Sequence, residues 1–473
     1  MLSQDTPTVK DQAEAHHGPW WRDVSKYQWF VFGVATLGWL FDTMDQQLFN
    51  LARKPAVTDL LAASATTPVP ETDVTYYAGL TTSIFIIGWA TGGIIFGILG
   101  DKIGRAKTMM LTILTYSAFT GLSAISHNVW DFAAYRFLTG LGVGGQFAVG
   151  VALVAEVMSN RARPHALGWL QALSAVGNMM AAMIGITLGM MQDAGTISNT
   201  WRVKFVIGLL PALLVIPIFM RLKEPEAWQK AVRKEEDEEA KEAAGGQPAH
   251  KLGSISELFT DPRWRRNTIV GMVLAFAGVV GLWGIGVFSN DLSQIVLKSH
   301  FADKGLTDNE IAGKLAFWAG MTLLMFNFGA FFGIHAFAYV AERLGRRPAF
   351  AISFVLAGLS TASTFWFLTE FWQIFVFVPV MGFCQLTLFG GYAIYFPELF
   401  PTRLRSTGIS FCYNVARFVA AFGAFALGYL TSHVFAGYPE PMRYAGVTMC
   451  GIFVIGLMVL PFAPETLGKP LPE

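Results

Sequence analysis

The chain has 473 residues, of which 53% are hydrophobic and only 14% charged, where a soluble domain carries roughly 25% charge. Its 34 basic and 33 acidic residues cancel to a net charge of +1, so the balance alone points to no partner. The apolar residues fall in a dozen blocks, each long enough to span a bilayer, which takes about 20 residues; that excludes a soluble enzyme, a nucleic-acid binder and a disordered chain.

Twelve spans are predicted, at 29–50, 77–99, 108–126, 131–157, 165–190, 203–221, 267–288, 315–341, 348–368, 371–396, 407–431 and 443–463. In lipid the backbone must satisfy its own polar groups, so each span is expected to be a helix. The polar N-terminus lacks the basic-then-apolar layout of a cleaved signal, and the first span is expected to stay as an anchor. Cys384, Cys412 and Cys450 all lie in apolar blocks and form neither a disulfide framework nor a metal-spaced set. Of the 34 Lys and Arg, counting those at span ends with the adjoining connection, 24 fall in the N-terminal tail, the even-numbered connections and the C-terminal tail, eight in the odd-numbered connections, and Arg136 and Arg417 well inside spans. The positive-inside rule then places both termini in the cytoplasm. The expected organisation is an N-terminal tail (1–28), a six-helix bundle (29–222), a cytoplasmic linker (223–266), a second six-helix bundle (267–463) and a C-terminal tail (464–473). The linker is expected to be a mixed-charge helix followed by a Gly/Pro break.

Span 1 contains GWLFDTMDQQLF, with Asp42 and Asp45 three residues apart and so on one helical face. A charge near the centre of a span costs about 2.5–3.5 kcal/mol on insertion scales, so two carboxylates in one helix imply a use; the plainer alternative is that they cap the outer end of a short helix. Arg136, about six residues inside the outer end of span 4 by the spans above, lies at similar depth on an antiparallel helix. A carboxylate facing an arginine can alternate between a paired ionised state and a protonated released one, which is a proton-coupling device. After Arg136 the spaced glycines of RFLTGLGVGGQFAVG permit close helix approach. Further along, Gln146, Gln171, Gln385 and Asn414 are polar groups in mid-span and candidate lining of a substrate site. His335 in span 8 could relay protons or simply pack. In span 11, YNVARF puts Arg417 near the midplane with Asn414 one turn away; a buried arginine needs an anion, from either a substrate or a protein carboxylate.

The second half repeats the first at an offset of about 241: GWATGGIIFGILGDKIGRAK (88–107) aligns with GAFFGIHAFAYVAERLGRRP (329–348), bringing Asp101 onto Glu342 and Arg105 onto Arg346. Glu156 is followed by Arg161 and Arg163 at the spacings at which Glu398 is followed by Arg403 and Arg405. A parallel duplication of six helices implies two bundles with a site between them near the midplane, an architecture for alternating access.

These residues resemble the major facilitator superfamily over essentially the whole chain. GILGDKIGRAK is similar to that superfamily's loop signature after helix 2, with Ala106 where a second basic residue is usual. PELFPTRLRSTG and the tails PEAW and PETLGKPLPE resemble the sugar-porter and metabolite:proton symporter branches, while the D-T-M-D of span 1 resembles the D-G-x-D of aromatic-acid:proton symporters, with Thr43 for the Gly. Span 7 lacks the Gln-rich hexose motif and span 5 the Gly-Pro motif of drug antiporters. The resemblance implies an all-α major facilitator fold and a cytoplasmic gate of Asp101, Arg105, Glu156, Glu342, Arg346, Glu398 and Arg403. It implies proton coupling through Asp42, Asp45 and Arg136, with Asp45 the favoured carrier, and substrate binding by Gln146, Gln171, Gln385, Asn414 and Arg417. The expected activity is import of a small organic acid or polar metabolite by proton symport in a bacterial inner membrane. No enzyme activity, cofactor, metal or nucleic acid is expected; the coupling ion is a proton, the partners a small anionic substrate and the bilayer, and the unit a monomer. The rival expectations are a sugar uniporter or sugar:proton symporter, and a receptor with the carrier fold and no flux.

Overall fold

The structure, a computed structural model, describes residues 19–64, 68–244, 249–286, 288–306 and 308–472. Twelve membrane helices follow in order: α1 (Lys26–Ser64), α2 (Glu71–Lys102), α3 (Arg105–Ser123), α4 (Val129–Val157), α5 (Ala162–Asp193), α6 (Thr200–Arg221), α7 (Pro262–Gly286, followed by a helix Phe288–Asp303), α8 (Asp308–Leu344), α9 (Arg346–Phe367), α10 (Ile374–Leu399), α11 (Arg405–Tyr429) and α12 (Pro441–Phe462). No strand occurs among the described residues. Within the linker two helices are described, Glu226–Ala243 and Ile255–Thr260; the expected Gly/Pro break at 245–248 lies outside the described residues, as does the polar stretch 1–18.

Each predicted span is a helix, but several run past their predicted ends. Helix α1 continues to Ser64 through Pro55, and a helix Phe288–Asp303 stands where a connection was expected. Local caps explain several starts. Asn128 accepts the backbone N–H groups of Trp130 and Asp131 ahead of α4, and Asp261 accepts that of Arg263 with Pro262 at the first helical position of α7, satisfying donors that a helix start otherwise leaves free.

Among the described residues nine of the helices are long and apolar enough to be recognised as membrane-spanning, and α1 and α3 are too polar. Those two and α11 carry buried polar groups: Asp42 and Asp45, then Thr112, Tyr116 and Thr120, then Ser410, Asn414 and Arg417. Lipid would not tolerate these side chains, so the three helices turn them inward.

Helices α1–α6 pack as one bundle and α7–α12 as another, with the closest internal pairing between α2 and α4 in the first and between α8 and α10 in the second. Both pairings rest on glycine. A Cβ at Gly88 or Gly92 would strike the carbonyls of Phe137 and Leu141, and one at Gly329 or Gly333 those of Pro379 and Phe383. Two seams join the bundles, α2 against α11 and α5 against α8.

Candidate functional site: a buried polar interface between two bundles

The Asp101 end of the α2–α11 seam is built on a helix start. The Asp101 carboxylate accepts the backbone N–H groups of Ser406 (3.1 Å) and Thr407 (2.8 Å), the free donors at the N-terminus of α11 in the opposite bundle. It also pairs with Arg105 at 3.0 Å, and both side chains are fully buried. A carboxylate at a helix N-terminus meets aligned donors and the positive end of the helix dipole. Arg105 reaches Glu156 with a two-pronged bond (3.1 and 2.9 Å) and donates to the Thr402 carbonyl across the seam. Glu156 in turn takes Arg405 of the second bundle at 2.8 Å. One buried carboxylate thus holds two arginines, one from each bundle, and ties the two bundles together at this end.

The remaining gate candidates act differently. Arg346 and Glu398 pair at 2.8 Å within the second bundle, and Thr466 of the C-terminal tail also donates to Glu398. Arg403 pairs with Glu257 of the linker. Glu342 is 40% exposed and meets His165 of the first bundle at 3.0 Å across the α5–α8 seam. Two carboxylates outside the predicted set complete the arrangement. Glu224 accepts the N–H groups of Ala106 and Lys107 at the start of α3, and Glu465 accepts those of Arg346 and Arg347 at the start of α9. The preceding glycines, Gly104 (φ 110°) and Gly345 (φ 100°), occupy a backbone region that side chains rarely adopt. Burial pushes the Glu465 carboxyl up, but four backbone N–H donors (Arg346, Arg347, Leu467 and Thr466) hold it below the ordinary range.

The helix-1 carboxylates divide between two surroundings, and both are fully buried. Asp45 accepts the Thr120 hydroxyl of α3 at 3.0 Å, and its Oδ1 has no hydrogen-bond partner. Arg136 sits one turn further out, boxed by the rings of Phe49, Phe132 and Phe205 at 5.4, 5.9 and 4.7 Å. It donates to Ser123 (2.7 Å), Thr139 (3.0 Å) and the Phe119 carbonyl, and its Nη1 is unpartnered. The direct Asp45–Arg136 ion pair that their depth suggests is not formed, because α3 hydroxyls one turn apart, Thr120 and Ser123, stand between the two charges. Asp42 accepts Gln46 at 3.2 Å and keeps Oδ1 unpartnered.

The candidate substrate groups separate in the same way. Gln146 accepts the Thr112 hydroxyl (2.6 Å) and fills the notch left by Gly38; Gln385 donates to Thr361 (2.7 Å) and abuts Gly286. Each has one free amide end. Gln171 lies beside Ser174 with its Oε1 unpartnered. Asn178 donates to Asn327 at 2.9 Å across the α5–α8 seam. His335 bonds the Phe331 carbonyl through Nδ1 and meets Trp169 edge-on at 4.2 Å. Arg417 is the centre of the interface. Its guanidinium lies 4.0 Å from the Trp89 ring of α2 and 4.1 Å from the Tyr413 ring, and Nη1 donates to Asn414 at 2.6 Å. Its Nε is buried and unpartnered, and no carboxylate forms an ion pair with it among the described residues. Trp89 meets Trp283 of α7 edge-on (6.2 Å), while Phe147 stacks on Tyr413 (4.6 Å) and meets Trp39 at a tilt (5.0 Å), so a wall of rings surrounds the arginine.

Arg417 and Asn414 stand together, as their spacing on one helix implies. Trp89 and Tyr413, the rings that hold the guanidinium, are not among the predicted site residues. Tyr413 was findable four residues before Arg417 on the same helix; Trp89, on another helix, left no local signal.

This geometry defines a two-bundle membrane carrier with a central polar site. The sugar (and other) transporter family matches residues 29–257 and 270–467, and the chain belongs to that family. It is 27% identical over 449 residues to a probable 4-methylmuconolactone transporter of Cupriavidus pinatubonensis, covering 95% of this chain and 93% of that protein. It is 28% identical over 382 residues to the cis,cis-muconate transport protein of Acinetobacter baylyi (80% and 84% covered). Among solved structures, the major facilitator superfamily proton:xylose symporter XylE bound to 6-bromo-6-deoxy-D-glucose superposes with a TM-score of 0.71 at 16% identity, over 94% of this chain and 98% of that one. The family and these relatives are transporters, not enzymes.

Proposed function

We propose that the protein imports a small planar organic acid by proton symport through alternating access. The observation that carries this reading is Arg417: a permanently charged guanidinium, buried between two aromatic rings, oriented by Asn414 and paired with no protein carboxylate among the described residues. A planar carboxylate would complete its fork, and the surrounding rings suit a conjugated body. The muconate named for one of these relatives is a conjugated carboxylate of this kind. The proton site is Asp45 with Arg136, whose free Oδ1 and Nη1 are the atoms that would meet when the proton leaves. Gln146, Gln171 and Gln385 line or shape the site, and the Asp101–Arg105–Glu156–Arg405 network is the inner gate. The chain works as a monomer in a bacterial inner membrane with both termini cytoplasmic, as the placement of Lys and Arg supports.

The test is binding by thermal shift, in which a true ligand stabilises by mass action, with benzoate and its neutral isostere benzamide as probes. Benzoate should stabilise the protein and benzamide should not. Arg417→Lys keeps the charge and loses the fork, and should weaken benzoate severalfold. Arg417→Ala should cost about 2–5 kcal/mol of binding with little further effect on benzamide. A neutral sugar transported well and unaffected by Arg417→Ala would overturn the assignment.

A further inference from the structure

The α2–α11 seam runs as a ladder of close contacts from the cytoplasm to Arg417. Asp101 holds the start of α11. A Cβ at Gly100 would meet Ser406, one at Gly97 would meet Ser410, and one at Gly93 would strike the Asn414 amide. The Ser410 hydroxyl donates to the Gly93 carbonyl. One turn beyond Gly93, Trp89 lays its ring on Arg417. Two successive turns of α2 therefore serve the site: Gly93 opens the notch that seats Asn414, and Trp89 covers the guanidinium that Asn414 orients.

Trp89 has no freedom to follow Arg417 if the bundles part. Its backbone nitrogen lies against Gly140 and its carbonyl against Gly144, so closely that a Cβ at either glycine would collide with it. The spaced glycines of α4 thus fix Trp89 to the first bundle, whereas Arg417, Tyr413 and Asn414 belong to α11 of the second. A cation–π contact holds only within about 6 Å of the ring centre. The present 4.0 Å leaves a margin of about 2 Å, and opening the seam from the Asp101 end consumes it.

We propose that Trp89 is a positioning residue that acts across the bundle interface. In the inner-closed state it presses the Arg417 guanidinium flat against Tyr413, shields it from water and leaves its edge free for a substrate carboxylate. When the seam opens, Trp89 departs with its bundle and the Gly93 notch withdraws from Asn414. Arg417 then hydrates and its hold on the anion weakens. Substrate affinity is accordingly high toward the outside and low toward the cytoplasm. This rests on the reading that Arg417 binds the substrate carboxylate.

The test is a series of fluorinated tryptophans at position 89, which drains the ring's negative face without changing its shape. Benzoate is the probe, with cis,cis-muconate as the second. KM is measured from each face in right-side-out and inside-out proteoliposomes. The expected result is an extracellular KM that climbs with each added fluorine, reaching about tenfold at four, and a cytoplasmic KM that stays constant. Trp89→Leu should weaken extracellular binding at least as much. A flat extracellular series, or an equal rise on both faces, overturns the proposal. If the series is flat while Arg417→Lys still weakens binding, Trp89 alone loses its role. If neither probe binds, or Arg417→Lys binds as well as the unaltered protein, the substrate reading fails and the proposal with it.

Discussion

The two halves carry the same charged motif and put it to different uses. In the first half the side chains of Asp101 and Glu156 are fully buried and both reach the other bundle, Asp101 through the α11 helix start and Glu156 through Arg405. Their counterparts differ: Glu398 is occupied by Arg346 and Thr466 of its own half, and Glu342, partly exposed, crosses only to His165. Arg405 crosses the interface, while Arg163, its equivalent in the repeat, turns back onto the carbonyls of Ala155 and Met158. A symmetric sequence thus yields one network that crosses between the bundles, the proposed gate, and one brace within a bundle. The asymmetry comes from the C-terminal tail, whose Thr466 saturates Glu398 and whose Pro472 carbonyl accepts from Arg405.

The sharpest way to break this comparison is to neutralise the two glutamates in turn. Glu156→Gln leaves Arg105 and Arg405 buried without their carboxylate, a loss of about 3–5 kcal/mol that falls on the inner-closed state. A cysteine placed at Ser410, buried in the seam, should then become readily labelled in a background without the native cysteines. Glu398→Gln should leave that labelling within about twofold and lower the melting temperature instead, because hydrogen bonds to a charged group are worth about 1.5–3 kcal/mol. Equal labelling in both variants would erase the distinction between gate and brace.

A smaller effect is expected at the aspartate position. Asp101→Asn keeps one acceptor and loses the ion pair and the second N–H bond, which should raise Ser410→Cys labelling by less than Glu156→Gln does. Glu342→Gln removes a half-exposed partner of His165, and exposed pairs are worth about 0–1 kcal/mol, so labelling should scarcely change. The reverse order would move the gate to the α5–α8 seam.

The smallest effect concerns Glu465, which caps α9 as Glu224 caps α3. Its folded pKa is depressed, so its contribution is fully present above the unfolded value of about 4.3 and is lost as pH falls through the lower folded value. Glu465→Gln should lower stability by about 1 kcal/mol or less, given the solvent exposure of the site. The gap from the unaltered protein should be constant from neutral pH down to about 5 and close below about 4. A gap that widens on acidification would contradict the cap.

The twelve helices, the repeat and the gate motif were legible in the sequence because each is local: a run of apolar residues, a fixed offset, a spacing of Gly, Asp and Arg. Arg417 and Asn414 could be paired because they share a helix face. What could not be read was which partner each charge takes. Glu156 and Glu398 have the same neighbours in sequence, and only the tail's position tells them apart. The hydroxyls of Thr120 and Ser123 that separate Asp45 from Arg136 look like ordinary small polar residues of span 3. Trp89 reads as one more apolar residue in the middle of span 2 until α11 is laid against it.

The account's central claim is that the buried carboxylates of α1 couple a proton to the movement of an organic anion. The most direct measurement is benzoate uptake into proteoliposomes with an imposed proton gradient, comparing the unaltered protein with Asp45→Asn and Asp42→Asn. The unaltered protein should accumulate benzoate above its external concentration and lose it when a protonophore is added. Asp45→Asn should fail to accumulate yet still exchange labelled for unlabelled benzoate, since exchange moves no net proton. Accumulation against the gradient by both single variants would contradict the claim.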